Sequence, residues 1–150
     1  MTKTIFNKLA AGAIAAAMLF SLAACGNNTA AANYADGTYT GRSSERPADE
    51  DGNGSGYGEV EIELKDNKII ACTFKTYELD GTLKDENYGS DLTKENRMKA
   101  QKAVQSADKY AEMVVQNGSA DDIDAISGAT INCEELKEAV KDALSKAEVK

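Results

Sequence analysis

The chain has 150 residues, enough for one domain with a modest core. Its 17 basic residues stand against 25 acidic ones, giving a formal charge of −8. The basic face that a phosphate backbone needs is missing, and nucleic acid is not expected as a partner. Histidine is absent, which excludes Ser-His-Asp and Cys-His catalytic groups and any His-ligated metal or haem.

The N-terminus carries Lys3 and Lys8 with no acid, followed by an apolar run from Leu9 to Ala24. That is a basic region and a short hydrophobic region, too short and too Ala-rich for a lasting membrane span. It ends Leu22-Ala23-Ala24-Cys25-Gly26, which resembles the bacterial lipobox. In signals of that kind the cysteine is acylated and becomes the mature N-terminus. Residues 1–24 are therefore expected to be a lipoprotein signal peptide, with Cys25 the lipidation site. The protein is then expected at the cell membrane, lipid-anchored on the extracytoplasmic face. An ordinary signal peptide with an incidental cysteine, or an uncleaved anchor, is the alternative. Lipidation of Cys25 also explains why an exported chain has an odd count of three cysteines.

Residues 25–33 are rich in Gly, Asn, Thr and Ala and lack apolar anchors, as suits a flexible tether. A folded domain is expected over 34–150. Asp36-Gly37-Thr38-Tyr39-Thr40-Gly41 predicts a short first strand. Arg42 to Gly58 holds the only proline and reads as an exposed loop. Within it, Asp49-Glu50-Asp51 lacks the ligand spacing of an EF-hand, so no metal site is expected.

Glu59 to Leu64 alternates, with Val60, Ile62 and Leu64 on one face and three glutamates on the other. A turn at 65–68 and a strand from Ile69 to Tyr77 complete a hairpin with one buried face. In that strand Ile70, Cys72 and Phe74 are predicted to share the inner face. After a turn-rich stretch from Leu79 to Ser90, the period becomes helical from about Leu92 to Asn117, and Asn117-Gly118 stops it. A last helix is predicted from Cys133 to about Lys146, with Asn132 as its cap and Glu135 as the reciprocal partner. Cys72 and Cys133 both face inward, as two free thiols or as a disulfide. The fold class is α+β: a small antiparallel sheet with helices packed on one face.

Between the two helical segments lies Asp124-Ala125-Ile126-Ser127-Gly128-Ala129-Thr130. A helix start presents unpaired N–H groups and the positive end of the helix dipole, and so favours a phosphate. Gly128 and Ala129 let backbone approach a bulky group, and Thr130 offers a hydroxyl at the helix entrance. From the residues alone, this is either a phosphate-friendly hydroxyl or an ordinary turn.

Asp124-x-x-Ser127-Gly128-Ala129-Thr130 resembles the flavinylation motif of the FMN-binding domain family. That family includes FMN-carrying subunits of ion-translocating redox complexes and lipoproteins of extracellular electron transfer. The likeness extends to Asp36–Gly41, to Gly58-Glu59-Val60 with the hairpin after it, and to Glu138-Ala139-Val140. The resemblance implies that 34–150 is an FMN-binding domain and that the cofactor is FMN, joined covalently to Thr130 through a phosphoester. Asp124, Ser127, Gly128 and Ala129 then complete the cofactor-binding motif. It also implies a separate FMN transferase as partner, and electron transfer rather than enzymatic turnover, so no catalytic residue is expected. Further partners would be a membrane-bound electron donor, such as a quinone-linked or NADH-linked reductase, and an extracellular electron acceptor. Tyr39, Tyr77 and Tyr88 are candidates to pack on the flavin ring, although each is equally an ordinary half-buried tyrosine. The competing readings are an FMN-holding accessory subunit of a membrane reductase complex, and a small non-redox lipoprotein binding module.

Overall fold

A computed structural model of the protein describes residues 32–50 and 54–149. The predicted signal peptide, Cys25, most of the tether and Asp51 lie outside the described residues. No helix among the described residues is long and apolar enough to cross a membrane.

Among the described residues three strands come first: β1 (Gly37–Arg42), β2 (Tyr57–Lys65) and β3 (Lys68–Tyr77). Two helices follow, α1 (Lys94–Asn117) and α2 (Thr130–Ala147). The strands form an antiparallel sheet in the order β1-β2-β3. Asp66 and Asn67 take positive φ values of 50° and 61°, the conformation a two-residue hairpin loop needs to match strand twist. Val60, Ile62 and Leu64 are buried while Glu61 and Glu63 are exposed, as their alternation predicts. α2 lies over β1 and β2, and α1 packs against β3, so the sheet and both helices share one core. The expected α+β class is what the protein adopts.

β3 departs from the predicted facing. Leu64 pairs with Ile69 but Glu63 pairs with Ala71, so Ile70 is an extra residue in the ladder. A bulge of this kind breaks the period of two. Ile69 is therefore buried and Ile70 is 45% exposed, and the inward series resumes at half-buried Cys72, then Phe74 and Thr76. Ile70 does not share a face with Cys72 and Phe74. Both Cys72 and Cys133 are free thiols, and burial pushes the Cys72 thiol up to about 11, so it stays protonated at neutral pH.

α1 starts where its cap dictates: Thr93 accepts a hydrogen bond from the Asn96 N–H at 3.3 Å. It ends at Gly118, whose N–H donates to Val114 O at 2.9 Å. Ala107, Tyr110, Ala111 and Val114 form its buried stripe. α2 buries Leu136, Ala139, Val140 and Ala143 at the same helical spacing. Its backbone comes so close to β1 that a Cβ on Gly41 would collide with Ala139 O and Ala143 N. Small residues on both elements permit that approach, which lies well along α2 from its beginning.

That beginning differs from the expectation. α2 starts at Thr130 rather than Cys133, with Ala129 in the cap position. Asn132 is no cap. It is buried, and its Nδ2 donates to Ala103 O at 2.9 Å, tying α2 to α1. Glu135 does not reach back to the helix start either; its side chain is packed inside at 1% exposure.

Candidate functional site

The loop from Gly118 to Ala129 is short of regular structure, so its position has to be fixed by side chains. Tyr110, fully buried on α1, supplies the main tie. Its hydroxyl donates to Ala129 O at 3.0 Å and accepts from the Ile126 N–H at 2.8 Å. One phenol thus clamps both sides of Ser127-Gly128. Between them, the Ala129 N–H donates to Ile126 O at 2.8 Å, closing a tight turn in which Gly128 takes φ of 82°. A residue with a Cβ adopts that conformation only with strain.

The turn delivers Thr130 as the first residue of α2, exposed. The Ala129 side chain cannot accept a hydrogen bond, and among the described residues no side chain caps this helix. Nor does an acid lie in its first turn. A helix start of this kind keeps its N–H groups and positive dipole end available to an anion. Lysines add to the positive field. A Cβ on Gly128 would lie 3.5 Å from Lys102 Nζ, and Lys99 stands one turn earlier on α1.

Thr130 opens on a cavity of about 740 Å³. Gly128, Ala129 and Thr130 form one side of it. The first turns of α1 form another, with Ala100, Ala103 and Val104. The segment after β3 brings Lys84, Tyr88 and Leu92. That segment is held by Gln101, whose Nε2 donates to Asp85 O at 3.1 Å and to Tyr88 O at 2.8 Å. Of the three candidate ring-packing tyrosines, only Tyr88 lines the cavity. Tyr77 stacks on Tyr57 with ring centroids 5.3 Å apart, and Tyr39 donates to Ala35 O at 3.1 Å. Asp124 and Ser127 are exposed in the same loop but do not line the cavity.

Beneath the site, Glu135 Oε2 has no hydrogen-bond partner among the described residues. Burial raises its carboxyl above the ordinary value of 4.5, and Lys84 and Arg46 oppose the shift only in part. An acid with a raised folded-state value stabilises the fold at low pH and loses that contribution as pH rises through it. Glu135→Gln is therefore expected to be more stable than the parent at pH 7–8, by about 1 kcal/mol. The advantage should fade as pH falls toward 4.5. Thermal melts of both proteins across that range read the difference directly, and a pH-independent gap would count against the buried-charge explanation.

The arrangement suits FMN on three counts. The cavity falls in the roughly 300–1,000 Å³ range of small-molecule sites. An uncapped helix N-terminus with lysines beside it suits a phosphate. Tyr88, Leu92 and the alanines of α1 offer apolar walls for a flat ring.

Comparison with known sequences agrees with that chemistry: the sequence model of the FMN-binding domain matches residues 53–145, which take in the hairpin, α1, the loop before α2 and all but the last two residues of α2. The chain belongs to the FMN-binding domain family, and FMN is its cofactor. Among curated proteins no match was found. A crystal structure of a Clostridium perfringens protein is similar, with a TM-score of 0.55 over 76% of this chain and 88% of that one. At 22% identity that similarity speaks for the fold alone.

Proposed function

We propose that Thr130 carries FMN through a phosphoester on its Oγ, and that the protein is a lipid-anchored extracytoplasmic electron carrier. The observation that supports this best is the placement of Thr130. Thr130 is exposed at an uncapped helix start, on the wall of a flavin-sized cavity, in a chain of the FMN-binding domain family. Bound FMN supplies one- and two-electron chemistry, linking two-electron donors to one-electron acceptors.

The chain's own residues have three tasks in this reading. The turn clamped by Tyr110 presents the hydroxyl, and the N–H groups of α2 with Lys99 and Lys102 receive the phosphate charge. Asp124 and Ser127, exposed beside Thr130, are available to a separate flavin transferase. A covalent bond also removes the equilibrium by which an exported protein would lose a dissociable cofactor to the medium. Cys25 would hold the domain at the membrane, and residues 25–33 would let it move between a quinone-linked or NADH-linked reductase and an extracellular acceptor.

Coexpression of the mature domain with and without a flavin transferase tests the carrier reading. Yellow colour that survives denaturation only with the transferase supports it; no loading under any condition would leave a non-redox binding module. For the anchor, Cys25→Ala is expected to release most of the protein from membranes. Unchanged retention by fractionation would count against lipidation.

A further inference from the structure

Resting on the assignment of FMN to Thr130, we infer that Lys84 is the cation that faces the polar edge of the flavin ring in the cavity beside Thr130. The cavity has two chemically distinct kinds of lining. At the α2 end lie Thr130, the uncapped N–H groups and the Lys102 ammonium close to Gly128, a setting for a dianionic phosphate. The rest of the wall includes Tyr88, Leu92 and the small residues of α1, a setting for a flat ring. Among the described residues, two lysines line the cavity. Lys99 is paired with Glu95 at 3.4 Å, and its side chain is 72% exposed. Lys84 comes from a different element, is half-buried, and makes no ion pair within 4.0 Å among the described residues. Its Nζ sits 5.2 Å from the Tyr88 ring centroid, and its backbone N–H is fixed to Thr76 O at 2.9 Å. A positive charge is thus built into the cavity wall with no carboxylate within 4.0 Å of it among the described residues.

Burial lowers the Lys84 ammonium below its ordinary range, while Glu135 of α2 and Glu78 after β3 raise it. An ammonium so placed gains from a new negative charge alongside. Reduction supplies that charge. Two electrons from the donor and one proton from water, taken at ring N5, leave the neutral oxidised ring with one negative charge, spread over N1 and the C2 carbonyl. Lys84 lowers the energy of that charged form and leaves the neutral form nearly untouched. It thereby raises the potential.

The test uses the domain loaded by a transferase, with midpoint potentials from spectroelectrochemistry at pH 7. Lys84→Gln is expected to weaken the reduced form about tenfold relative to the oxidised one, a fall of about 30 mV for a two-electron couple. Lys84→Arg should retain most of the effect. Lys109→Gln, which removes the same charge from the exposed side of α1, should barely move the potential. An unmoved potential in Lys84→Gln, or an equal fall in Lys109→Gln, overturns the inference. Should Lys84→Gln fail to fold, NMR titration of the Lys84 ammonium in the loaded wild-type protein decides. An upward move on reduction supports the contact, and no move overturns it. A wild-type domain that takes up no flavin would overturn the Thr130 assignment itself, whereas a loaded domain with an unresponsive Lys84 overturns this inference alone.

Discussion

Thr130→Ala, coexpressed with a flavin transferase, is expected to carry no covalent flavin, a loss of at least about 100-fold against wild type. The size of the effect follows from bond chemistry rather than from affinity. Without Oγ there is no oxygen at this position to bond to phosphorus, and no neighbouring residue supplies a substitute in the same geometry. Ser127 is the nearest hydroxyl in sequence, but it sits in the turn itself and does not line the cavity. Thr130→Ser keeps the oxygen at the first position of α2 and should still load. Because Thr130 is exposed, the alanine variant should fold as the parent does, so an intact circular dichroism spectrum with no bound flavin is the expected pair of results. Covalent flavin retained in the alanine variant would move the attachment elsewhere.

Tyr110→Phe is expected to cost about 1–3 kcal/mol of stability, because it removes one hydroxyl and leaves the part-buried Ile126 N–H without its acceptor. Ala129 O is less affected, since the Cys133 N–H also donates to it at 3.2 Å. The ring itself stays, so the core is not hollowed, and the loss reports on the clamp rather than on packing. The same change should slow flavin loading several-fold by loosening the turn that presents Thr130. Chemical denaturation and the time course of flavin incorporation measure the two effects separately. A variant that is destabilised yet loads at the wild-type rate would show that Tyr110 supports the fold without positioning the site.

Local patterns were legible in the sequence, and long-range contacts were not. Val60, Ile62 and Leu64 alternate with glutamates, and the sheet buries them as that pattern requires. The helical period and the Asn117-Gly118 stop mark α1, which ends at Gly118. The errors came where a tertiary contact overrides a local rule. Ile70 looks like an inner residue if the β3 ladder is unbroken, and the bulge is visible only once β2 is placed beside it. Asn132 followed by Glu135 has the form of a capping pair, but Ala103 O draws the Asn132 amide toward α1 and the sheet encloses Glu135.

The same division runs through the site. The loop from Asp124 to Thr130 is contiguous in sequence, so it can be recognised there. The cavity it serves is assembled from α1, the segment after β3 and the start of α2. Nothing local distinguishes Tyr88, which lines it, from Tyr39 and Tyr77, which do not. Tyr110 reads as one more apolar residue on a helical stripe, and only the folded chain brings its hydroxyl within hydrogen-bond distance of Ile126 and Ala129. Gln101 and Lys84 carry no sequence signal at all.

The most direct test of Thr130 as the attachment site is mass spectrometry of the transferase-loaded mature domain, intact and then fragmented. A gain of one FMN less one water, with the added mass on the fragment ion that begins at Thr130, is the predicted result. The same gain on Ser127, or on any other residue, would contradict the account.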